Sequence, residues 1–177
     1  MFQISTPRLR LLALNPEQVQ ILVQSREALE RSLGLEPATL ELSADDSFWG
    51  EYESAMQEFV LPMLAKYPEQ YQWFTHWLIV HDQLNRTIGG IGVGGLPNPD
   101  GETILGYFMD RRFEGQGLTT EAVQALCRWL FQHETLQALI ADTPADHVAS
   151  QKILQKNGFV FVGAVEEGVR WRLVRAT

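Results

Sequence analysis

The spacing of apolar positions changes along the chain, and each change marks an element. Arg8-Leu9-Arg10-Leu11-Leu12-Ala13-Leu14 follows Pro7, alternates, and reads as a first strand. Asn15-Pro16-Glu17 is a helix start: Asn as N-cap, Pro at the first helical position, an acid behind it. Val19, Leu22, Val23, Leu29 and Leu33 continue it as one stripe that Gly34 stops. A second helix is expected to begin near positions 43–46, with Phe48, Tyr52, Ala55, Met56, Phe59 and Met63 on its apolar face and a kink at Pro62. Positions 73–81, 86–95 and 102–109 read as three strands. A turn at 82–85 and the Asn98-Pro99-Asp100-Gly101 turn join them, so they form an antiparallel meander. A helix over 120–132 carries Ala122, Val123, Leu126, Trp129 and Leu130 on one side, and a short strand follows at 137–141. A helix over 147–157 should turn Val148, Ile153 and Leu154 inward and end at Gly158. Positions 159–165 and 169–174 close the chain as a hairpin. No repeat or linker interrupts the pattern, so residues 1–177 read as one α+β domain.

Composition narrows the class. With 177 residues, 45% of them apolar and 20% charged, the chain suits a soluble domain with one core. Its apolar runs fall far short of the roughly 20 residues of a membrane span. The segment 1–5 lacks the basic and apolar regions of a secretion signal, and the single Cys127 allows no intrachain disulfide; both point to a reducing cytoplasm. The net charge of −8 argues against a nucleic-acid partner. Between Arg31 and Lys66 there is no basic residue, yet the stretch holds Glu36, Glu41, Asp45, Asp46, Glu51, Glu53 and Glu58. Such a run is either a solvated helix face or a field that attracts a cationic substrate.

The strongest chemical signal is Glu114-Gly115-Gln116-Gly117-Leu118-Thr119-Thr120-Glu121, between the last meander strand and a helix. Two glycines allow positive φ and a turn that aims several N–H groups at one point, and the helix behind adds its own free N–H groups. An anion such as a pyrophosphate fits there. The P-loop is excluded because Leu118, not Lys, follows Gly117. The dinucleotide fingerprint is nearer, with Thr120 in the third glycine's place and Asp142 about 20 residues on. An antiparallel meander, however, is not the parallel core that a dinucleotide fold requires.

The loop resembles the acetyl-CoA loop of the GNAT N-acetyltransferases, most closely the RimJ/RimL-like branch. Thr6-Pro7-Arg8-Leu9-Arg10-Leu11 is similar to that branch's opening strand. Gly89-Gly90-Ile91-Gly92 and Gly106-Tyr107 are similar to its two central strands. The segment from His147 through Ser150 and Leu154 to Gly158-Phe159 is similar to its Asn-x-x-Ser…Gly-Phe helix. The resemblance implies a mixed, mostly antiparallel sheet of about seven strands flanked by about four helices. It also implies acetyl-CoA as acyl donor, no metal, and a primary-amine acceptor, either a protein N-terminus or a small cationic amine such as a polyamine, in a monomer or homodimer.

By the same resemblance, the donor site comprises Phe108, Met109, Asp110, Gly115, Gln116, Gly117, Leu118, Thr119, Thr120, His147 and Ser150. The strand before the loop should splay from its neighbour so that backbone near 108–110 pairs with pantetheine. Glu114 and Gln116 stand where relatives carry aromatic or basic residues, and His147 replaces an Asn. Leu154 occupies the position of a Tyr that protonates the leaving thiolate in many relatives, which leaves Ser150 as the candidate donor. Candidate bases are Glu102, Glu51 and His76, with a water chain as the other possibility. A non-catalytic acyl-CoA binder is the alternative reading.

Overall fold

In the computed structural model, which describes residues 1–43 and 47–176, eight strands form one sheet in the order β1-β2-β3-β4-β5-β6-β8-β7. The strands are β1 (Phe2–Ser5), β2 (Leu9–Ala13), β3 (Trp77–His81), β4 (Arg86–Val93), β5 (Glu102–Met109), β6 (Ala138–Thr143), β7 (Val160–Val165) and β8 (Gly168–Val174). The fold class is the expected one, with one more strand. The addition is β1, a short edge strand with no apolar run, which pairs with β2 from Phe2–Ala13 to Ser5–Arg10. The meander β3-β4-β5 is antiparallel, and β5–β6 is the parallel pairing among the described strands. Consecutive residues 77–80 of β3 are fully buried, which requires cover on both faces of the sheet.

The helices are α1 (Pro16–Gln24), α2 (Arg26–Ser32), α3 (Phe48–Ala55), α4 (Leu61–Lys66), α5 (Leu118–Leu130) and α6 (Val148–Lys156). Asn15 begins α1 with a capping box: its side chain accepts the Gln18 N–H, and the Gln18 side chain accepts the Asn15 N–H, each at 2.9 Å. The stripe expected as one helix is two. Ser25 is extended and its Oγ accepts the Ala28 N–H at 3.1 Å, ending α1 and capping α2. The effect of Pro62 is also more specific than a kink. Between α3 and α4 the turns widen into a π-helical segment, Met56–Val60, closed by Leu61 N–H on the Met56 carbonyl, because proline cannot donate to the carbonyl four residues back.

Two further expectations shift. Residues 73–76 precede β3, and Pro68–Trp73 is a 3-10 segment. Val148 is 56% exposed rather than inward, whereas Leu154 is buried. Positions 44–46 of the expected start of the second helix, with Asp45 and Asp46, lie outside the described residues.

Candidate functional site

The site grows from a strand pairing that stops early. β5 and β6 pair only at Glu102–Ala138, Thr103–Leu139 and Ile104–Ile140. Both strands run on, to Met109 and Thr143, and open into a wedge-shaped cavity of about 260 Å³. Residues 105–109, 141–144 and the α6 side chains Ser150, Ile153 and Leu154 wall it. On its other edge β5 stays paired to β4 as far as Gly89–Met109, and Asp110 N–H donates to the Ile88 carbonyl at 2.7 Å. Backbone groups alternate along a strand, so the even-numbered residues here face β4. The N–H and C=O of Tyr107 and Met109 therefore face the wedge. An open strand edge in a cleft is a template for an extended, amide-bearing ligand.

At the end of the wedge lies the glycine loop. Asp110 pins its approach: the carboxylate accepts the Arg112 N–H at 2.9 Å and the Arg112 guanidinium at 2.5 Å. Burial would raise this carboxyl's pKa, but hydrogen bonds from Arg112 and from the Glu41 N–H hold it below the ordinary value. Gly115 and Gly117 then take φ of 72° and 76°, the left-handed region that side chains avoid. Gly117 is the N-cap of α5, and no side chain caps that end. Among the described residues, no protein acceptor takes the N–H groups of residues 116–120. Arg8 donates to the Gln116 carbonyl at 3.0 Å. In a trans peptide that turns the Gly117 N–H the opposite way. Glu121 holds Arg8 in place at 2.7 Å, and so a cation reaches a loop whose own positions 114 and 116 carry none.

A hydroxyl pair sits on the wall of the wedge. Tyr107 Oη and Ser150 Oγ are 2.9 Å apart, and the phenol also lies 3.3 Å from the Ser150 carbonyl. Burial raises the Tyr107 pKa and the Ser150 hydrogen bond offsets part of that, so the phenol keeps its proton near neutrality and can donate it into a hydrogen bond.

A second cavity, about 470 Å³, adjoins the first, and Gly106, Tyr107 and Phe108 line both. Its centre is Phe108, edge-on to Phe48 at 5.2 Å and to Tyr52 at 5.8 Å, and stacked on His76 at 5.8 Å with an interplanar angle of 11°. Gly90 makes this stack possible: a Cβ there would lie 2.2 Å from His76 Cε1 and 2.6 Å from Phe108 Cζ. His76 is buried and its Nε2 has no hydrogen-bond partner among the described residues. Burial, and secondarily the charge of Arg26, lower its pKa to about 3. The ring is neutral at pH 7.

The sequence pattern of the acetyltransferase (GNAT) domain matches residues 8–160. The chain belongs to that family. It is 31% identical over 98 residues to the "Uncharacterized N-acetyltransferase YjdG" of Bacillus subtilis (strain 168), covering 55% of this chain and 58% of that protein. Matches to other curated relatives span only 35% and 37% of their lengths. Two solved structures share the fold. One is "RimL- Ribosomal L7/L12 alpha-N-protein acetyltransferase in complex with Coenzyme A", at a TM-score of 0.67, 18% identity and 98% coverage of each chain. The other is the "Ribosomal-protein-S5-alanine Acetyltransferase from Vibrio fischeri", at a TM-score of 0.68, 17% identity and coverage of 99% and 97%.

Within this acetyltransferase fold the expected site residues separate into groups. Phe108, Met109, Gly115, Thr119, His147 and Ser150 line the wedge. The Leu118 side chain is instead buried in the core, and the Gln116 side chain folds back to the Arg112 carbonyl at 3.1 Å. Gln116, Gly117 and Leu118 can therefore serve through backbone N–H groups, and Thr120 does not line the wedge. The free edge of β5 also differs from the expectation. Phe108 and Asp110 turn their backbone to β4, and Phe108 offers its ring to the second cavity.

Glu102 does not join the site. Arg172 holds it in an ion pair at 2.8 Å, and six residues of strand, about 20 Å, separate it from Phe108. Of the acids expected near the acceptor, Glu51 lines the second cavity, while Glu53 borders a separate hollow beside Arg26. Burial pushes the Cys127 thiol up to about 12, which leaves it inert. Tyr107 was missed as a functional residue. Its signal is its place in the alternation of β5, which could be used only once the edge of the wedge was known. Among the described residues, no cluster of three or more His, Cys, Asp or Glu could hold a metal, and no helix is long and apolar enough to cross a membrane.

Proposed function

We propose that the protein is an acetyl-CoA-dependent N-acetyltransferase that passes the acetyl group directly to a primary amine while both substrates are bound. One observation supports this reading: residues 106–108 line both cavities. The wedge suits the donor. The free N–H groups of 116–120 and the helix end suit a pyrophosphate, with Arg8 orienting the loop by holding the Gln116 carbonyl away from it, and the open backbone of Tyr107 and Met109 suits pantetheine amides. The second cavity then takes the acceptor.

The donor supplies a thioester carbonyl: the amine nitrogen forms the new C–N bond, the C–S bond breaks, the amine loses a proton and the thiolate gains one. Backbone N–H on the wedge edge can stabilise charge on the carbonyl oxygen. The Tyr107–Ser150 pair donates toward the leaving sulfur. A thiol pKa of about 8.5 makes that help useful and not essential. His76 is too weak a base at neutral pH, and Glu102 is engaged elsewhere. An α-amine, with a pKa of about 7.7–8.0, is partly neutral at pH 7 and needs little help. The relative described as an alpha-N-protein acetyltransferase supports counting protein N-termini among the acceptors.

The test is calorimetric titration with acetyl-CoA and with NAD, then a thiol-release assay over amines and peptides. Binding of acetyl-CoA with turnover of at least one amine is expected. NAD binding without CoA binding would overturn the reading. CoA binding with no turnover of any acceptor would make the protein a non-catalytic acyl-CoA binder.

A further inference from the structure

The second cavity is lined mainly by rings and aliphatic groups, not by the row of acids that the sequence suggested. Phe48, Tyr52, Met56 and Phe59 come from α3 and the π segment; Ile104 and Phe108 come from β5. Among the described residues that line it, Glu51 is the one charged side chain. It accepts from Ser47 Oγ at 3.1 Å. Phe59 and Ile104 are large and apolar yet 45% and 47% exposed, and both line this cavity. Exposed apolar groups gathered at the mouth of a cleft mark a surface that a ligand covers. The floor is rigid, because the Phe108–His76 stack is seated on Gly90 with no room to spare.

Building on the acetyltransferase reading, we infer that the acceptor is a primary amine attached to a bulky apolar group, preferably aromatic, with no second positive charge. The ring or branched chain lies among Phe59, Ile104 and Phe108, the ammonium is drawn by Glu51, and the nitrogen reaches the shared stretch 106–108. A polyamine would place a second, unmatched ammonium against these apolar walls, and an unmatched buried charge is costly. A peptide starting with Ser would leave the apolar surface uncovered. Two sources present the favoured chemistry: a free arylalkylamine and a chain that begins with an aromatic residue.

The experiment compares phenethylamine, spermidine, a Phe-Ala-Ala-Ala peptide and a Ser-Ala-Ala-Ala peptide as acceptors by thiol release. It also measures their binding to the protein–CoA complex by calorimetry. We expect phenethylamine or the Phe peptide to exceed both spermidine and the Ser peptide by at least about tenfold in kcat/KM and in affinity. Whichever of the two leads identifies the source. Phe59→Glu, at a half-exposed position, should remove that preference and leave CoA affinity unchanged. Spermidine or the Ser peptide matching the aromatic amines would overturn the inference, as would a preference that survives Phe59→Glu. Turnover failing with every amine would overturn the acetyltransferase reading instead, and the calorimetric comparison would still decide the specificity.

Discussion

Acidification should single out His76. The fold lowers its pKa from 6.5 to about 3 through burial, with Arg26 adding to the effect. The unfolded chain therefore binds a proton between these values that the folded chain refuses. Stability falls as pH drops below 6.5 and keeps falling until about 3. At pH 5 the unfolded imidazole is almost fully protonated and the folded one almost fully neutral, a linkage of about 2 kcal/mol relative to pH 7. The control is His76→Phe, which keeps a ring against Phe108 and removes the titrating nitrogen. Urea unfolding at pH 7 and pH 5, where most carboxylates remain ionised, gives four free energies. The wild type should lose about 2 kcal/mol more than the variant over that interval. Equal losses in the two proteins would mean that the ring is solvated in the folded state. The aromatic floor of the second cavity would then be wrongly described.

Three further outcomes test the site. Gly117→Pro should abolish acetyl-CoA binding in calorimetry, because φ of 76° is closed to proline and an N–H is lost; unchanged affinity would show that the loop does not hold the anion. Tyr107→Phe should lower kcat by roughly tenfold with KM for acetyl-CoA nearly unchanged, since it removes a donor and no bulk; an unchanged kcat would free the phenol from any role in thiolate departure. Glu102→Gln should leave kcat/KM within about twofold of wild type, because its partner is Arg172; a large loss confined to high-pKa amines would restore it as the base.

Much of this was visible along the chain because it depends on local rules. Asn15-Pro16 marks a helix start with no help from elsewhere, and Gln18 completes it as a capping box in the structure. The turn at 98–101 sets up a tight antiparallel connection, and Gly115 and Gly117 announce a left-handed turn before a helix. Pro62 was locally legible too, whereas Ser25 was read through as part of one helix, because the outcomes of both residues compete. A serine can continue a helix or break it, and a proline can kink a helix or widen it. Packing of Met56 and Val60 in the core accompanies the π segment.

The sequence by itself determined that the chain makes an antiparallel meander, then a left-handed glycine loop on a helix end, then a β-α-β hairpin close, because periodicity and turn chemistry are short-range. It could not determine how far β5 and β6 stay paired, since that pairing joins strands more than 30 residues apart and ends after Ile104–Ile140. The tertiary structure alone turned Tyr107 toward Ser150, sent Glu102 to Arg172, brought Arg8 from the first hairpin to the glycine loop, and gathered Phe48, Phe59 and Phe108 into one cavity. Each of those contacts joins residues far apart along the chain, and only the folded backbone sets the distance between them.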